Sequence, residues 1–365
     1  MPTKLLIVDD SALMRRALTQ IFETAGGFQI QTARDGSDAL RVISEFHPDV
    51  VTLDINMPKL DGMSTLSEIM VRHPCPVVMV SSLTSKDALP TLEALALGAV
   101  DFVAKPSGTV SHDIRKVEVE LVRKARAAAS AQLRRPRARR AREAEHRPAP
   151  PPAAAPKPRP VSVIPSAGNV STNPLVLIGV STGGPRTLED ILPSLPADFP
   201  CAVLVAIHMP VSFTGAFARR MDEMCAMSVL EVTKQVPLLP GHVYIARGGA
   251  DMIVGQRGAD LTALISPPQA SSIWQPSVDR LVESALRCVA PQSLIGVQLT
   301  GMGDDGAVAM KALHDRGGRT IAESEKTAVI FGMPRELIER GGATRVLPSD
   351  RIANQLQTWA GGKLH

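Results

Sequence analysis

The sequence predicts a two-domain α/β protein with a connector between the domains, and three observations point there. A chain of 365 residues exceeds one ordinary domain and can bury two cores. Short apolar runs alternate with amphipathic stretches in both its N-terminal and C-terminal parts, the rhythm of doubly wound parallel sheets. Between them lies a segment too rich in proline and arginine to join either core.

From Lys4 to about Ser130 the strands are LLIV, FQIQT, DVVTL, PVVMV and VDFVA. Helices fit near 12–25, 36–46, 62–72 and 86–97, with a fifth after Ser111, which makes a (βα)5 flavodoxin-like unit. The stretch AAASAQLRRPRARRAREAEH holds good helix formers that can prolong the last helix until Pro136 interrupts it. RPAPPPAAAPKPRP then reads as an extended, solvated spacer. The expected division is a first domain over 1–130, a linker over 131–172 and a second domain over 173–365.

The second domain opens on the strand LVLIGV and continues with CAVLVAI, then short pieces at VLEV, HVYIA, DMIV and TALIS. A helix SVDRLVESALRCV, the strand LIGVQLT, a helix after Asp305 and the strand RTIAES complete it. The expectation is a doubly wound, mostly parallel sheet with an antiparallel hairpin, in which His242 starts a hairpin strand.

Composition narrows the function classes. No apolar run approaches the roughly 18 residues of a membrane span, so no membrane insertion is expected. The opening MPTKLLIVDD has a lone lysine and a four-residue apolar run ended by two carboxylates, unlike a signal peptide, and a cytoplasmic location is expected. Cys75, Cys201, Cys225 and Cys288 lie far apart without CxxC spacing, which argues against a zinc site or a disulfide framework. Aromatic residues are only 3%, too few for a base-stacking surface. Residues 123–160 hold twelve Arg or Lys against two Glu, a net of +10, and the rest of the chain carries −6. Two mildly acidic parts are thus joined by a basic connector.

In an open parallel sheet ligands bind outside the carboxyl ends of the strands. Asp9, Asp10, Asp54, Ser81 and Lys105 all fall at such ends. Three carboxylates brought together repel one another unless a cation lies between them, and an all-oxygen donor set suits Mg²⁺. With Lys105 also balancing the charge of a phosphoryl group, one carboxylate can be the nucleophile and the Ser81 hydroxyl can hold a phosphoryl oxygen. Any one of these residues alone is equally well a helix cap, since Asp10 and Ser11 stand where the first helix begins.

Through LLIVDDSALMRR, LDINMPKLDG, VVMVSS and FVAKP, residues 1 to about 125 resemble bacterial receiver domains. The resemblance implies that Asp54 accepts a phosphoryl group from a histidine kinase. It also implies that Asp9, Asp10, Asp54 and the Asn56 backbone carbonyl bind Mg²⁺, and that Phe102 is the switch aromatic.

The second domain opens with Gly179-Val-Ser181-Thr-Gly183-Gly184-Pro185, a G-x-S-x-G match at a strand end. Such a turn can present a serine nucleophile at a helix N-terminus, where backbone N–H groups stabilise an oxyanion. It can equally be a phosphate-binding turn, or a helix cap by Ser181 or Thr182. A serine nucleophile needs a base. Of His208, His242, His314 and His365, only His208 follows a strand on the same sheet edge as Ser181. For the carboxylate that orients the base, LIGVQLTGMGDDGAVAM offers Asp304 and Asp305, one of which can simply cap the next helix.

The order Ser, His, Asp differs from that of α/β-hydrolases, so the motif does not import that fold. With IGVSTGGPRTL, AIHMP, WQPSVDRL, LTGMGDDGA and FGMPRE, residues 175–360 instead resemble the catalytic domain of chemotaxis methylesterases. The resemblance implies Ser181 as nucleophile, His208 as base and Asp305 as orienting acid. It makes the Met302 N–H an oxyanion donor and Thr182 a supporting residue, and places Asp304 at a variable position. It also implies methyl esters of receptor glutamates as substrates, with receptor glutamines deamidated as well, on methyl-accepting chemotaxis receptors. The esterase chemistry needs no cofactor. The rival expectation, a phosphorylation-switched binding protein, rests on RRPRARRAR contacting nucleic acid or anionic lipid. No helix-turn-helix or zinc module accompanies it, so no nucleic-acid partner is expected.

Overall fold

The structure, a computed structural model, describes residues 1–81, 88–105, 111–131, 174–258, 260–268 and 274–361. Pro136, His365, all but the first residue of the expected linker and the expected helix start at residue 86 lie outside them.

In the first domain, β1 (Thr3–Val8), β2 (Phe28–Ala33), β3 (Val50–Asp54), β4 (Val77–Ser81) and β5 (Asp101–Ala104) form one sheet in the order β2-β1-β3-β4-β5. Every pair is parallel. The middle strands are apolar runs buried on both faces by α1 (Ala12–Ala25), α2 (Gly36–Phe46), α3 (Gly62–Arg72), α4 (Ala88–Leu97) and α5 (Ser111–Ala129). Local chemistry sets the helix starts. Ser11, Asp35 and Asp61 cap α1, α2 and α3, each side chain accepting the N–H three residues on. The cap of α1 is therefore Ser11, and Asp10 is left for other work.

The second domain holds a seven-stranded sheet in the order β15-β14-β13-β6-β7-β10-β8, parallel at every pairing. Its strands are β6 (Leu175–Val180), β7 (Ala202–Ile207), β8 (Ser228–Val232), β10 (His242–Ala246), β13 (Leu294–Gln298), β14 (Arg319–Glu323) and β15 (Arg345–Leu347). A separate antiparallel sheet joins β11 (Asp251–Arg257), β12 (Asp260–Ser266) and β9 (Val236–Pro237). One expectation is corrected here: His242 starts a central parallel strand of the main sheet, not a hairpin strand. The hairpin is β11–β12.

The helices of this domain are α6 (Gly184–Ile191), α7 (Val211–Met224), α8 (Val278–Cys288), α9 (Ala307–Asp315), α10 (Met333–Glu339) and α11 (Ser349–Gly361). The chain runs outward from β6 through β7, then returns to place β13 on the other side of β6. The topological switch point thus lies between β6 and β13, where the carboxyl ends of an open sheet leave a crevice. In the first sheet the switch lies between β1 and β3.

The two domains share a buried apolar cluster, in which α4 packs on α6 and α7. Phe102 of β5 lies against Phe213 of α7, with ring centroids 4.4 Å apart. Val329 and Ile330 of the second domain join the core beneath α5. Among the described residues no helix is long and apolar enough to cross a membrane.

Candidate active site and phosphoacceptor site

In the first domain the sheet's switch point gathers acids. The carboxylate oxygens of Asp9, Asp10 and Asp54 lie within 4.8 Å of one another. Lys105, directly after β5, places its Nζ 2.9 Å from Asp9 Oδ2 and 2.8 Å from Asp54 Oδ2. Burial raises the Asp54 pKa above its ordinary value; Lys105 opposes this and the charge of Asp9 adds to it. Burial acts to lower the Lys105 pKa, but its bonds to Asp54 and Asp9 outweigh that and raise it. Three carboxylates against one ammonium leave an excess of negative charge, with Asp9 and Asp54 buried and Asp10 exposed. An oxygen-ligated divalent cation fits that donor set. Ser81 ends β4, fully buried, and its carbonyl accepts the Lys105 N–H. Asn56 stands two residues beyond Asp54 on an exposed loop. Phe102 is buried and turned to the second domain rather than to the acids.

In the second domain β6, β7 and β13 each deliver one side chain to the switch point. Ser181 follows β6, His208 follows β7 and Asp305 follows the turn after β13. Ser181 is buried, its N–H donating to Thr300 O at 2.9 Å. Gly301 allows this approach, because a Cβ there would fall 2.7 Å from the Ser181 Cβ. His208 Nε2 lies 2.8 Å from Asp305 Oδ2. A carboxylate only accepts, so Nε2 carries the proton and the buried Nδ1, unbonded among the described residues, holds the lone pair.

Asp305 is further held by the start of α8. Ser277 Oγ donates to its Oδ1 at 3.1 Å, and the N–H groups of Val278 and Asp279 donate at 2.7 and 3.1 Å. Gln298 Nε2 donates to its carbonyl at 2.6 Å. Burial pushes its pKa up, yet His208 and the helix N–H groups outweigh burial and hold it below the ordinary value. Sequence reasoning missed Ser277 and Gln298, although Ser277 lies in the quoted motif WQPSVDRL.

The helix-cap alternatives left open by the sequence resolve locally. α6 starts at Gly183 with no side-chain cap, so neither Ser181 nor Thr182 caps it. α9 starts at Gly306, also without one. Asp304 is exposed, and its carboxylate pairs with Arg340 at 3.9 Å. Thr182 Oγ1 instead donates to Asp101 Oδ2 of the first domain. The Gly301 carbonyl accepts from the Gly332 and Met333 N–H groups, so the Met302 N–H of the same trans peptide points away from α10. His242 bonds Pro240 O, and His314 lies near Asp315 in α9, so neither joins Ser181.

Two parallel sheets, one with an acidic pocket and a lysine, the other with Ser, His and Asp at one crevice, define a receiver coupled to a serine-hydrolase-like domain. Comparison with known proteins agrees on both halves. Residues 5–113 match the response regulator receiver domain and residues 176–356 match CheB methylesterase. A Rhodospirillum rubrum protein named protein-glutamate methylesterase/protein-glutamine glutaminase 3 is 54% identical, covering 98% of this chain and 96% of that protein. A Caldanaerobacter subterraneus protein of the same name, without the number, is 44% identical over 97% of this chain and 95% of its own length. The crystal structure of the Thermotoga maritima CheB methylesterase catalytic domain aligns with a TM-score of 0.50 at 36% identity. That alignment covers 51% of this chain and 98% of the other. The chain belongs to the CheB family of receiver-linked methylesterases.

Proposed function

We propose that this protein is a phosphorylation-controlled protein-glutamate methylesterase that also deamidates glutamine. Its substrates are glutamate methyl esters on chemoreceptors and its phosphodonor is a histidine kinase. The observation that carries the reading is the His208–Asp305 pair, 2.8 Å apart, with Nδ1 left unbonded among the described residues and the His208 backbone N–H donating at 3.1 Å to the carbonyl of Val180, directly before Ser181. Ser181 Oγ attacks the ester carbonyl while its proton passes to His208 Nδ1. The carbonyl oxygen gains charge, which the Met302 N–H stabilises, and Thr182 supports the turn. His208 then returns its proton to the departing methoxide, giving methanol and an acyl-enzyme. Water activated by the same Nδ1 releases glutamate. With a glutamine side chain the leaving group is ammonia and the acyl-enzyme is the same.

Asp305 keeps the imidazole in this tautomer and stabilises its charged form. The usual serine-protease pairing has the acid on Nδ1 and the base at Nε2, so here the ring works the other way round.

In the receiver, Asp54 is the phosphoacceptor, and Asp9, Asp10, Asp54 and the Asn56 carbonyl would hold Mg²⁺. Bound there, Mg²⁺ would offset charge on the phosphoryl oxygens. Lys105 pairs with the same oxygens, and Ser81 and Phe102 carry the change to the domain boundary. The docked receiver covers the catalytic crevice through β5 and α5, and phosphorylation favours the open state. Labelling with a fluorophosphonate tests the nucleophile. One adduct per chain on Ser181, faster with a small phosphodonor and Mg²⁺, is expected, and labelling undiminished in Ser181→Ala would refute it.

A further inference from the structure

The motif WQPSVDRL contains a residue that the reaction above leaves without a role, Trp274. Its ring lies flat against the His208 imidazole, centroids 4.9 Å apart and planes 8° from parallel. It also packs on the turn beside Met302, where a Cβ at Gly303 would fall 2.4 Å from the ring. The guanidinium of Arg123, from receiver helix α5, sits over the same residue, 4.5 Å from the ring centroid. Burial pulls the Arg123 pKa below its ordinary value. A desolvated cation gains most from an aromatic face.

We propose that Trp274 is a positioning residue for His208, and that the receiver restrains the catalytic site by docking Arg123 on that same ring. The Asp305 bond fixes one corner of the imidazole but not the tilt of its plane. A flat neighbour fixes the tilt, so that Nδ1 keeps its aim. The edge contact ties this plate to the turn that supplies the Met302 N–H, so base and oxyanion donor share one support. While α5 is docked, the Arg123–Trp274 contact helps hold the receiver over the crevice. Withdrawal of α5 breaks that contact and leaves the His208–Trp274 stack in place. The positioning arm rests on the methylesterase reading; the docking arm is also read without turnover, by emission.

The test uses full-length Trp274→Phe, Trp274→Ala and Arg123→Ala. With phosphodonor and Mg²⁺, Trp274→Ala lowers kcat for methanol release roughly ten- to hundredfold with KM nearly unchanged, the scale of a misplaced catalytic group. Trp274→Phe, which keeps a flat ring, recovers most of that loss. Without phosphodonor, Arg123→Ala raises the basal rate roughly five- to thirtyfold, up to the fully activated rate.

The chain has two tryptophans, so Trp359→Phe leaves Trp274 as the sole emitter. Its emission shifts when phosphodonor is added. In Arg123→Ala it starts at the shifted position and no longer responds. Wild-type kcat in Trp274→Ala would overturn the positioning role. An unchanged basal rate together with a normal emission response in Arg123→Ala would overturn the restraint. Should wild type release no methanol at all, the substrate reading fails, and the emission response still decides the Arg123 contact.

Discussion

Replacing Thr182 by valine removes one hydroxyl at the domain boundary and little else. That hydroxyl donates to Asp101 Oδ2 between residues only 3% and 6% exposed. The other Asp101 oxygen is already taken by the Phe102 N–H at 2.7 Å and Lys124 Nζ at 3.1 Å. Valine therefore leaves Oδ2 buried without its donor while the domains are docked, whereas water solvates it once they part. A hydrogen bond to a charged group contributes about 1.5–3 kcal/mol, so the docking constant falls roughly ten- to 150-fold. The assay is the ratio of methanol release with and without phosphodonor. Any effect of Thr182 on the chemistry cancels in that ratio, because both rates come from one variant. The ratio should collapse toward one in Thr182→Val and persist in Thr182→Ser, which keeps the donor. A wild-type ratio in a folded Thr182→Val protein would refute the idea that this contact holds the receiver down.

Asp305→Asn should cost about 10⁴ in turnover by favouring the wrong imidazole tautomer; activity within a few-fold of wild type would contradict the assignment. Because the folded Asp305 pKa is depressed, its contribution to stability is present above the ordinary value of 3.8 and is lost as pH falls through the lower folded value. The melting temperature of Asp305→Asn should accordingly change less than that of wild type over this acid range. Asp54 has the opposite sign: its raised pKa means that ionisation at neutral pH opposes folding, so a cation should help. At a hundred times its Kd, Mg²⁺ should stabilise wild type by about 2.7 kcal/mol, and Asp9→Asn should abolish most of the shift. Burial pushes the thiols of Cys75, Cys201 and Cys225 up to about 12, so the native protein should offer only the half-buried Cys288 to a thiol reagent. Rapid modification of all four would show that the cores open easily.

Much of this was legible because both sites sit at strand ends. A carboxylate that directly follows LLIV or DVVTL lies at the carboxyl end of its strand, so Asp9 and Asp54 could be set there without tertiary information. Ser181 and His208 follow β6 and β7 in the same way. The error at His242 has a physical origin. Parallel neighbours usually need a helical crossover, and β8 and β10 are joined instead through β9, a two-residue strand lent to the other sheet. Without a helical period in between, VLEV and HVYIA look like a hairpin. β15 was missed because three partly exposed residues carry no pattern.

What no local pattern encodes is the boundary between domains. Thr182 and Asp101 are 81 residues apart, and Arg123 meets Trp274 from the far side of the linker. Phe102 could be named as a switch residue, but not the Phe213 ring it touches. Asp304 and Asp305 differ only in where the turn points them: Asp305 lies against the α8 N-terminus, while Asp304 faces solvent.

An esterase built on Ser181 and a receiver that controls it should both show in one experiment. The most direct measurement is methanol release from methylated chemoreceptor membranes by wild type and Ser181→Ala, each with and without a small phosphodonor and Mg²⁺. Wild-type release that rises with phosphodonor, and falls roughly a millionfold in the variant, is the expected result. Equal release from both proteins would rule out Ser181 as the nucleophile.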